Sequence, residues 1–546
     1  MFKGSLYDYQ KAAVDRMVDR KSMLVAFDMG LGKTPMSIAA LEHLMGDGSI
    51  NQPVLIVALS SLKYQWKASI EKFSDSTAWV IDGAKAARSK QYVRARDWET
   101  EGVDYIIVNY EQVVNDWDLI KKLPLGAIVC DEATSIKSFR SKRSKRIKAL
   151  AKDIGVRFAL TGTPIENGKP EELFSIMQLV DDAVLGKFEY FDRAFIVRNQ
   201  WGGVNRYRNL STLHDTMVDA CVRKSQTDPD VAPYLPDAIE RDPVLIPMDR
   251  KGISVYNAIA DSLLSDLDEA ATLFGGNWSV TAHYGGSDSD FGGPADQLRG
   301  QIMSKVTALR MLCDHPELLR ISADKFNSGV INIDDDQLSV PGARGGSAYL
   351  AELSNEGMFD DVKATPKLDY LIDYISDFLD VDDRHKAVVF SSFVPTTDLI
   401  QARLGFTTEV YTGRMNAKEK EAAKLRFQTD PKNRVLISSD AGGYGVDLPQ
   451  ANLLVNYDLP WSSGLAVQRN SRIIRASSQW PSVVIDTLLI AGSLEVRQYE
   501  MLQQKTSVAD AIIDGHGIND KGGVDLTVGS LKSFLLDNRP TVRPSA

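Results

Sequence analysis

Two stretches of the chain show the same alternation of short apolar runs and longer amphipathic segments. In the first stretch, from Tyr7 to about Val180, the apolar runs predict strands at 23–26, 54–59, 105–108, 127–130 and 158–161. Amphipathic segments lie between them, such as 62–73, whose apolar residues recur at helical spacing. Strands that alternate with helices predict an α/β fold with a parallel sheet covered on both faces.

The second stretch runs from about Thr365 to Ile490 and repeats this pattern. Its apolar runs predict strands at 386–391, 434–438, 453–457 and 483–487, with a helix at 416–427. The middle differs, because residues 275–294 and 324–348 are rich in Gly, Ser and Asp and predict flexible, exposed loops. We therefore expect four parts: an amino-terminal lobe over 1–185, helical insertions and a linker over 186–364, a second lobe over 365–500, and a carboxyl-terminal brace over 501–546.

A glycine-rich segment follows the first predicted strand. Gly30 and Gly32 allow the backbone to bend so that its N–H groups face a phosphate chain. Lys33 adds a positive charge, and the hydroxyl of Thr34 suits Mg²⁺. The segment predicts a phosphate-binding loop.

A carboxylate pair, Asp131 and Glu132, directly follows the predicted strand 127–130. One carboxylate suits a Mg²⁺ ligand and the other suits a base that orients water. Together with the phosphate loop, the pair predicts ATP hydrolysis with Mg²⁺ held by Thr34 and Asp131. The second stretch has no such loop, so we expect a nucleotide to bind between the two lobes.

Three further motifs also fit a protein that hydrolyses ATP. Thr161 and Thr163 flank Gly162 after a strand, where they could relay the state of the phosphate site. A second glycine-rich loop spans 441–447. Arg472 and Arg475 lie three residues apart, which would place them on one face if this segment is helical, and their guanidinium groups could neutralise a transferred phosphoryl group.

The composition narrows the class of protein. The formal net charge is -10, so any nucleic-acid contact needs a local basic patch. Residues 137–148 form one, with seven Lys or Arg and no acid. The three cysteines form no CxxC pair, and neither a signal-like segment nor a membrane-length apolar run is seen. We expect a soluble, cytoplasmic, reduced protein with no membrane partner.

Taken in order, these motifs resemble those of superfamily-two helicase-like ATPases of the Swi/Snf type, over nearly the whole chain. Further family-like segments carry the resemblance: 6–10, 55–66, 108–111, 136–137, 309–316, 389–393 and 411–413. The resemblance implies two tandem RecA-like parallel-sheet lobes with helical insertions between them. The compactness of the chain suggests a bacterial or phage member.

The resemblance also implies roles for individual residues. Catalytic roles fall to Lys33, Asp131, Glu132, Gln468, Arg472 and Arg475. ATP contacts fall to Gln10, Asp28, Met29, Gly30, Leu31, Gly32, Lys33, Thr34, Gly443, Gly445 and Asp447. Double-stranded DNA contacts fall to Lys137, Arg140, Lys142, Arg143, Lys145, Arg146 and Thr163.

Some positions depart from the family pattern. Thr134 replaces a histidine, Phe27 and Asp28 replace an acidic pair, and Arg469 is unusual between Gln468 and Arg472. None of them removes a group needed for hydrolysis. We expect an active, DNA-stimulated ATPase that acts as a monomer and translocates on double-stranded DNA to remodel or reanneal DNA or protein–DNA complexes. A recruiting protein is a further expected partner. Two alternatives stay open: a strand-separating helicase acting on DNA or RNA, and a nucleotide-gated binding module that does not hydrolyse ATP.

Overall fold

The structure, a computed structural model, describes residues 1–199, 203–280, 294–329, 347–440, 446–515, 521–522 and 526–541. The chain divides into two compact units. The first comprises Met1–Val197, Arg206–Tyr234 and Lys505–Gly522, and the second comprises Arg198–Asn205, Leu235–Gln504 and Gly523–Ala546.

The strands of the described residues fall into three sheets. In chain order they are β1 Ser22–Phe27, β2 Val54–Ala58, β3 Ala78–Val80, β4 Tyr105–Asn109, β5 Ala127–Asp131, β6 Val156–Leu160, β7 Ile196–Arg198, β8 Val204–Tyr207, β9 Cys221–Lys224, β10 Asp237–Glu240, β11 Val244–Ile246, β12 Ala387–Ser391, β13 Thr408–Tyr411, β14 Val435–Ser439, β15 Leu453–Asn456, β16 Ser482–Ile490 and β17 Lys521–Gly522. A small sheet has the order β17-β8-β7.

Helices connect most of these strands. They are α1 Asp8–Arg20, α2 Lys33–Gly46, α3 Lys63–Phe73, α4 Lys85–Ala95, α5 Trp98–Glu101, α6 Tyr110–Asn115, α7 Trp117–Ile120, α8 Lys142–Ala151, α9 Pro170–Val180, α10 Asp182–Leu185, α11 Phe188–Phe195, α12 Leu210–Met217, α13 Arg250–Phe274, α14 Pro294–Asp314, α15 Glu317–Asn327, α16 Ala348–Asn355, α17 Pro366–Val381, α18 Val394–Arg403, α19 Ala417–Thr429, α20 Ser463–Asn470, α21 Leu494–Ile513 and α22 Val528–Asp537.

The sheet of the first unit has the order β3-β4-β2-β5-β6-β1-β9, and every neighbouring pair is parallel. All residues of β1 and β5 are buried, as expected for strands covered on both faces. Leu160 pairs with Val25 of β1 on one side and with Asp131 of β5 on the other. The loops that follow β1, β6 and β5 therefore leave the sheet at one edge.

The sheet of the second unit is also parallel, in the order β10-β16-β15-β12-β14-β13, with β11 pairing further along β16. Helices from the middle of the chain share its hydrophobic core. Ile259 of α13, Leu309 of α14 and Leu371 of α17 are fully buried in the same cluster as Val389 of β12. The prediction of an α/β protein with two parallel-sheet lobes is confirmed.

The structure describes only the ends of the two predicted loops. Gly276 and Asn277 are exposed as expected, but Trp278 stacks on Phe274, and fully buried Val280 donates its N–H to the carbonyl of Leu526. Helix α15 continues to Asn327, so the irregular stretch predicted from 324 starts later. The remaining parts, 281–293 and 330–346, lie outside the described residues. Among the residues that the structure covers, each helix is too short or too polar to cross a membrane.

Candidate functional site

The phosphate loop predicted from the sequence connects β1 to α2 at the carboxyl edge of the first sheet. Gly30 and Gly32 have φ angles of 82° and 83°, in the left-handed region that favours glycine. A Cβ atom on Gly32 would also lie 2.3 Å from Nε2 of Gln10. The backbone angle therefore favours glycine at position 32, and a larger residue there would also displace the Gln10 amide.

Lys33 begins helix α2 and its side chain turns back over the loop. Nζ donates to the carbonyl of Phe27 at 2.7 Å and to that of Asp28 at 3.1 Å. Thr34 follows in the first helical turn, where backbone N–H groups and the positive end of the helix favour an anion. The arrangement suits the phosphates of a nucleotide.

Gln10, predicted to bind ATP, lies buried beside this loop. Its Nε2 donates to the carbonyl of Leu31 at 3.0 Å, and its Oε1 accepts from the backbone N–H of Tyr7 at 2.9 Å. The amide therefore links the start of α1 to the phosphate loop. Its contact with ATP stays a prediction.

Asp28 is held by the segment that follows β9. Its carboxylate accepts from Arg223, from Oγ of Ser225 at 3.1 Å and from the backbone N–H of Gln226 at 2.9 Å. Nε2 of Gln226 also donates to the carbonyl of Met29 at 2.9 Å. Residues far along the chain therefore set the position of the loop.

Asp131 ends β5 and its carboxylate is buried. Nε1 of Trp66 donates to Oδ2 at 2.7 Å, and the N–H of Glu132 donates to Oδ1 at 3.1 Å. Burial raises the pKa of Asp131, while the Trp66 hydrogen bond and the charge of Lys33 act in the opposite direction. A divalent cation at this carboxylate would stabilise the ionised form that burial opposes, so Asp131 fits the role of a Mg²⁺ ligand.

Glu132 has a left-handed backbone conformation, with φ 49° and ψ 60°. This conformation is unfavourable for a residue with a side chain, by about 1–3 kcal/mol. Tyr110 supports the turn, because its hydroxyl donates to the carbonyl of Asp131 at 2.7 Å and approaches that of Glu132 at 3.4 Å. The strained turn places Glu132 next to Asp131 at the edge of the sheet, as a water-orienting base requires.

Thr163 lies on the loop after β6, between the two parts of the site along this edge. The backbone N–H of Thr163 donates to Oγ1 of Thr161 at 3.1 Å. Its own Oγ1 is buried and has no hydrogen-bond partner among the described residues. A Cβ on Gly162 would lie 3.2 Å from the side chain of Met29, so this loop packs directly against the phosphate loop. DNA contact by Thr163 stays a prediction.

The structure divides the basic segment 137–148 into three groups. Arg140, Lys142 and Lys145 are exposed. Arg143 and Arg146 lie over the rings of Tyr110 and Trp117, and Arg143 also pairs with Glu111 at 2.7 Å.

The other two lysines of the segment, Lys137 and Lys148, bond to neighbouring side chains. Lys137 pairs with Glu166, whereas Lys148 donates to Oγ of Ser175 and Oε1 of Gln178 at 2.9 and 2.8 Å. Burial lowers the pKa of Lys148 to about 7. Fewer basic side chains are therefore available for contact with a nucleic acid than the seven that the sequence contains.

In the second unit, helix α20 carries Gln468 and Arg469, both buried. Arg469 donates to Oδ1 of Asp440 at 2.5 Å, to the carbonyl of Asp458 at 2.6 Å and to Oγ of Ser392 at 3.0 Å. The residue that departs from the family pattern thus ties the helix to the ends of β12, β14 and β15. Gln468 is adjacent, and its catalytic role stays a prediction.

Arg472 and Arg475 follow this helix and are also buried. Nε of Arg475 donates to Oδ1 of Asp447 at 2.5 Å, and its guanidinium also bonds the carbonyls of Ser471 and Ile474. Burial would raise the pKa of Asp447, but Arg475 and Arg472 outweigh it and lower the value. Gly443 and Gly445 lie outside the described residues. The catalytic roles of Arg472 and Arg475, and the ATP contact of Asp447, stay predictions.

Sequence reasoning did not identify three residues that shape this site: Trp66, Tyr110 and Arg223. Trp66 and Tyr110 lie in family-like segments that assign them no role; Trp66 donates to the Asp131 carboxylate, and Tyr110 donates to the backbone carbonyls of Asp131 and Glu132. Arg223 lies in a short strand without a motif, so no local signal identified it.

Two family models match the chain in consecutive blocks. The SNF2-related domain matches residues 9–318, which is more than half of the chain, and the helicase conserved C-terminal domain matches residues 366–477. The chain belongs to the SNF2-related family. The first match includes the phosphate loop and the acidic pair, and the second includes Gln468, Arg472 and Arg475, so the predicted family is confirmed.

Relatives of this SNF2-related chain are distant but match along its length. It is 23% identical to the protein named helicase/translocase YwqA of Bacillus subtilis (strain 168), over 94% of this chain and 49% of YwqA. It is 23% identical to mouse DNA repair and recombination protein RAD54B, over 94% of this chain and 56% of that protein. The chain thus spans about half the length of these relatives.

Among solved structures, the SNF2-related chain is similar to the Sulfolobus solfataricus SWI2/SNF2 ATPase core in complex with dsDNA. The identity is 23%, the coverage is 94% of each chain, and the TM-score is 0.40. The family assignment rests on the two family models.

Proposed function

We propose that this protein is an ATP-dependent translocase on double-stranded DNA, in which DNA binding stimulates ATP hydrolysis. The observation that carries the proposal is the convergence of the phosphate loop, Asp131 and Glu132 at one edge of the first sheet. Membership of the SNF2-related family supports an ATPase.

Each group at this edge has one task. The loop from Gly30 to Thr34 and the ammonium of Lys33 bind the phosphates. Mg²⁺, held by Thr34 and Asp131, would neutralise charge on the phosphate oxygens. Glu132 orients the attacking water, and Trp66 fixes the Asp131 carboxylate.

DNA is the proposed track, and the exposed basic residues suit contacts to the phosphates of a nucleic-acid backbone. Arg140, Lys142 and Lys145 are exposed on or directly before helix α8, which follows the acidic pair along the chain. Such contacts are independent of sequence and sensitive to salt. The name of RAD54B, a DNA repair and recombination protein, is in keeping with this choice of partner.

The test is steady-state phosphate release with duplex DNA, single-stranded DNA and RNA in parallel, at equal nucleotide concentration. We expect the largest stimulation with duplex DNA, little difference between base compositions, and a decline as salt rises. Turnover stimulated equally by RNA would overturn the assignment of DNA as the track. A complete lack of ATP turnover with all three would overturn the enzyme assignment and support a binding module.

A further inference from the structure

Three charged side chains meet behind the phosphate loop in the first unit. Nε of Arg223, on β9, donates to Oδ1 of Asp514 at 2.6 Å, and a second nitrogen approaches Oδ2 at 3.4 Å. On its other side the same guanidinium pairs with Asp28. All three side chains are only 17–23% exposed, so solvent weakens these ion pairs less than it would at the surface.

The guanidinium of Arg223 is also fixed to the sheet. It donates to the carbonyls of Ala26 and Lys224, each at 3.0 Å. Burial would lower the pKa of Arg223, but Asp28 and Asp514 outweigh it and raise the value, so the group stays charged. One planar side chain thus joins two strands and two carboxylates, a task that suits arginine better than lysine.

Asp514 lies directly after helix α21, and this part of the chain is anchored independently. Nδ1 of His214, on α12, lies 2.9 Å from the carbonyl of Ile512. A Cβ atom added at Gly515 would lie 3.0 Å from the ring of His214, so this ring packs directly against Gly515. These contacts fix the backbone on both sides of Asp514, whose carboxylate accepts from Arg223.

Asp28 connects Arg223 to the phosphate loop through its backbone and its side chain. The backbone carbonyl of Asp28 accepts from Lys33, and its side chain accepts from Arg223. A change in how Arg223 holds Asp28 would shift a carbonyl that orients the Lys33 ammonium. The contact thus links the carboxyl-terminal region to the phosphate loop.

We propose that Arg223 is a positioning residue for the phosphate loop, and that Asp514 in the carboxyl-terminal region regulates nucleotide affinity through it. The inference deepens the proposed function, since it concerns the same nucleotide site. It does not depend on DNA or on movement along it.

The test measures nucleotide affinity and turnover for Arg223→Ala and Asp514→Asn, each in the full chain. Affinity is measured with a fluorescent ADP analogue in the absence of DNA, and KM and kcat for ATP are measured with duplex DNA. The matched control is Asp230→Asn, because Asp230 forms an exposed ion pair with Lys224, the neighbour of Arg223. Thermal unfolding is recorded for every variant.

We expect Arg223→Ala to raise KM and the analogue Kd about tenfold, equivalent to about 1.4 kcal/mol. Asp514→Asn, which keeps the shape and removes the charge, should raise both about threefold, since the Asp28 contact remains. For both variants kcat should stay within about twofold, and the control should match the wild type. A fall in kcat with unchanged KM and Kd would overturn the proposal, as would an Asp514→Asn variant indistinguishable from the control.

The proposed function can fail separately from this inference. If wild-type protein binds the analogue but shows no DNA-stimulated turnover, the translocase assignment fails, whereas the affinity ratios still decide the role of Arg223. If the translocase assignment holds and the affinity ratios are all near one, only the positioning role is overturned.

Discussion

The two parallel sheets hold their chemical groups in different ways. At the edge of the first sheet, neutral hydrogen-bond partners position the predicted catalytic carboxylates: Trp66 donates to the carboxylate of Asp131, and Tyr110 donates to the backbone carbonyl of Asp131, next to Glu132. At the corresponding edge of the second sheet, buried ion pairs position the arginines, as Asp440 does for Arg469. The first arrangement leaves the carboxylates able to accept a cation, whereas in the second the charge of Arg469 is already balanced.

The comparison teaches that charged side chains have different roles in the two sheets: a predicted role in catalysis in the first, and a role in stability in the second. Substitution of Glu132 should lower ATP turnover with little effect on the free energy of unfolding, since its side chain is only partly buried. Substitution of Arg469 should lower the free energy of unfolding, because the buried carboxylates of Asp440 and Asp458 would lose the guanidinium that balances their charge. Substitutions can therefore separate the two roles.

The largest expected effect is that of Glu132→Gln on ATP turnover. The amide cannot accept a proton from water, so we expect kcat with duplex DNA to fall by about 10²–10⁴. Phosphate release measures the effect, and Glu99→Gln, at an exposed glutamate, is the control. Turnover within threefold of wild type would exclude Glu132 as the base.

Arg469→Met should mainly change stability. It leaves Asp440 and Asp458 buried without their guanidinium, at an expected loss of about 3–5 kcal/mol in the free energy of unfolding. Urea unfolding measures this loss. Arg426→Met removes an ion pair in which the arginine is 54% exposed, so water already screens the pair and the loss should be much smaller. Equal losses for the two variants would contradict the distinction between the sheets.

A smaller effect concerns Lys148, whose pKa is lowered to about 7 by burial from an ordinary value of 10.5. Between pH 7 and pH 10.5 Lys148 binds more protons in the unfolded chain than in the folded one. The free energy of unfolding of the wild type should therefore rise with pH in this range. From pH 7 to pH 9, Lys148→Met should lack a gain of up to about 2 kcal/mol that the wild type shows. Urea unfolding at both pH values measures it, with exposed Lys152→Met as the control. Parallel behaviour of Lys148→Met and wild type would refute this assignment.

The smallest expected effect is that of a single exposed lysine on DNA affinity. Lys142→Ala and Lys145→Ala should each reduce the slope of log affinity against log salt by about 0.9, the loss of one phosphate contact. Fluorescence anisotropy with duplex DNA over a salt series measures the slope. Exposed Lys90→Ala, on α4, is the control. Slopes unchanged by both substitutions would place the DNA elsewhere.

The sequence predicted the central strands well because they are continuous buried apolar runs. The predicted ends of β1 and β5 lie within one residue of the observed ends, and the positions of Lys33 and Asp131 at the carboxyl edge of the sheet followed from them. Strand β10 was missed because all four of its residues are exposed, and β9 because Arg223 and Lys224 interrupt any apolar pattern. Such strands form where pairing with a neighbour supplies the hydrogen bonds, which local sequence does not reveal.

The details of the site depend on contacts between residues far apart in the chain. Trp66 and Asp131 are 65 residues apart, and Arg223 and Asp514 are 291 apart. Motif spacing identifies which groups have chemistry to perform, but it does not identify the partners that orient them. The sequence count of seven basic residues likewise could not show that Lys137 and Lys148 bond to neighbouring side chains.

Displacement of a third strand from a triplex on duplex DNA tests the central claim most directly, since it requires movement along the duplex without strand separation. We predict that wild-type protein with ATP and Mg²⁺ releases the third strand, that Glu132→Gln does not, and that a matched forked duplex stays paired. Unwinding of the fork with an intact triplex, or release that needs no ATP, would contradict the account.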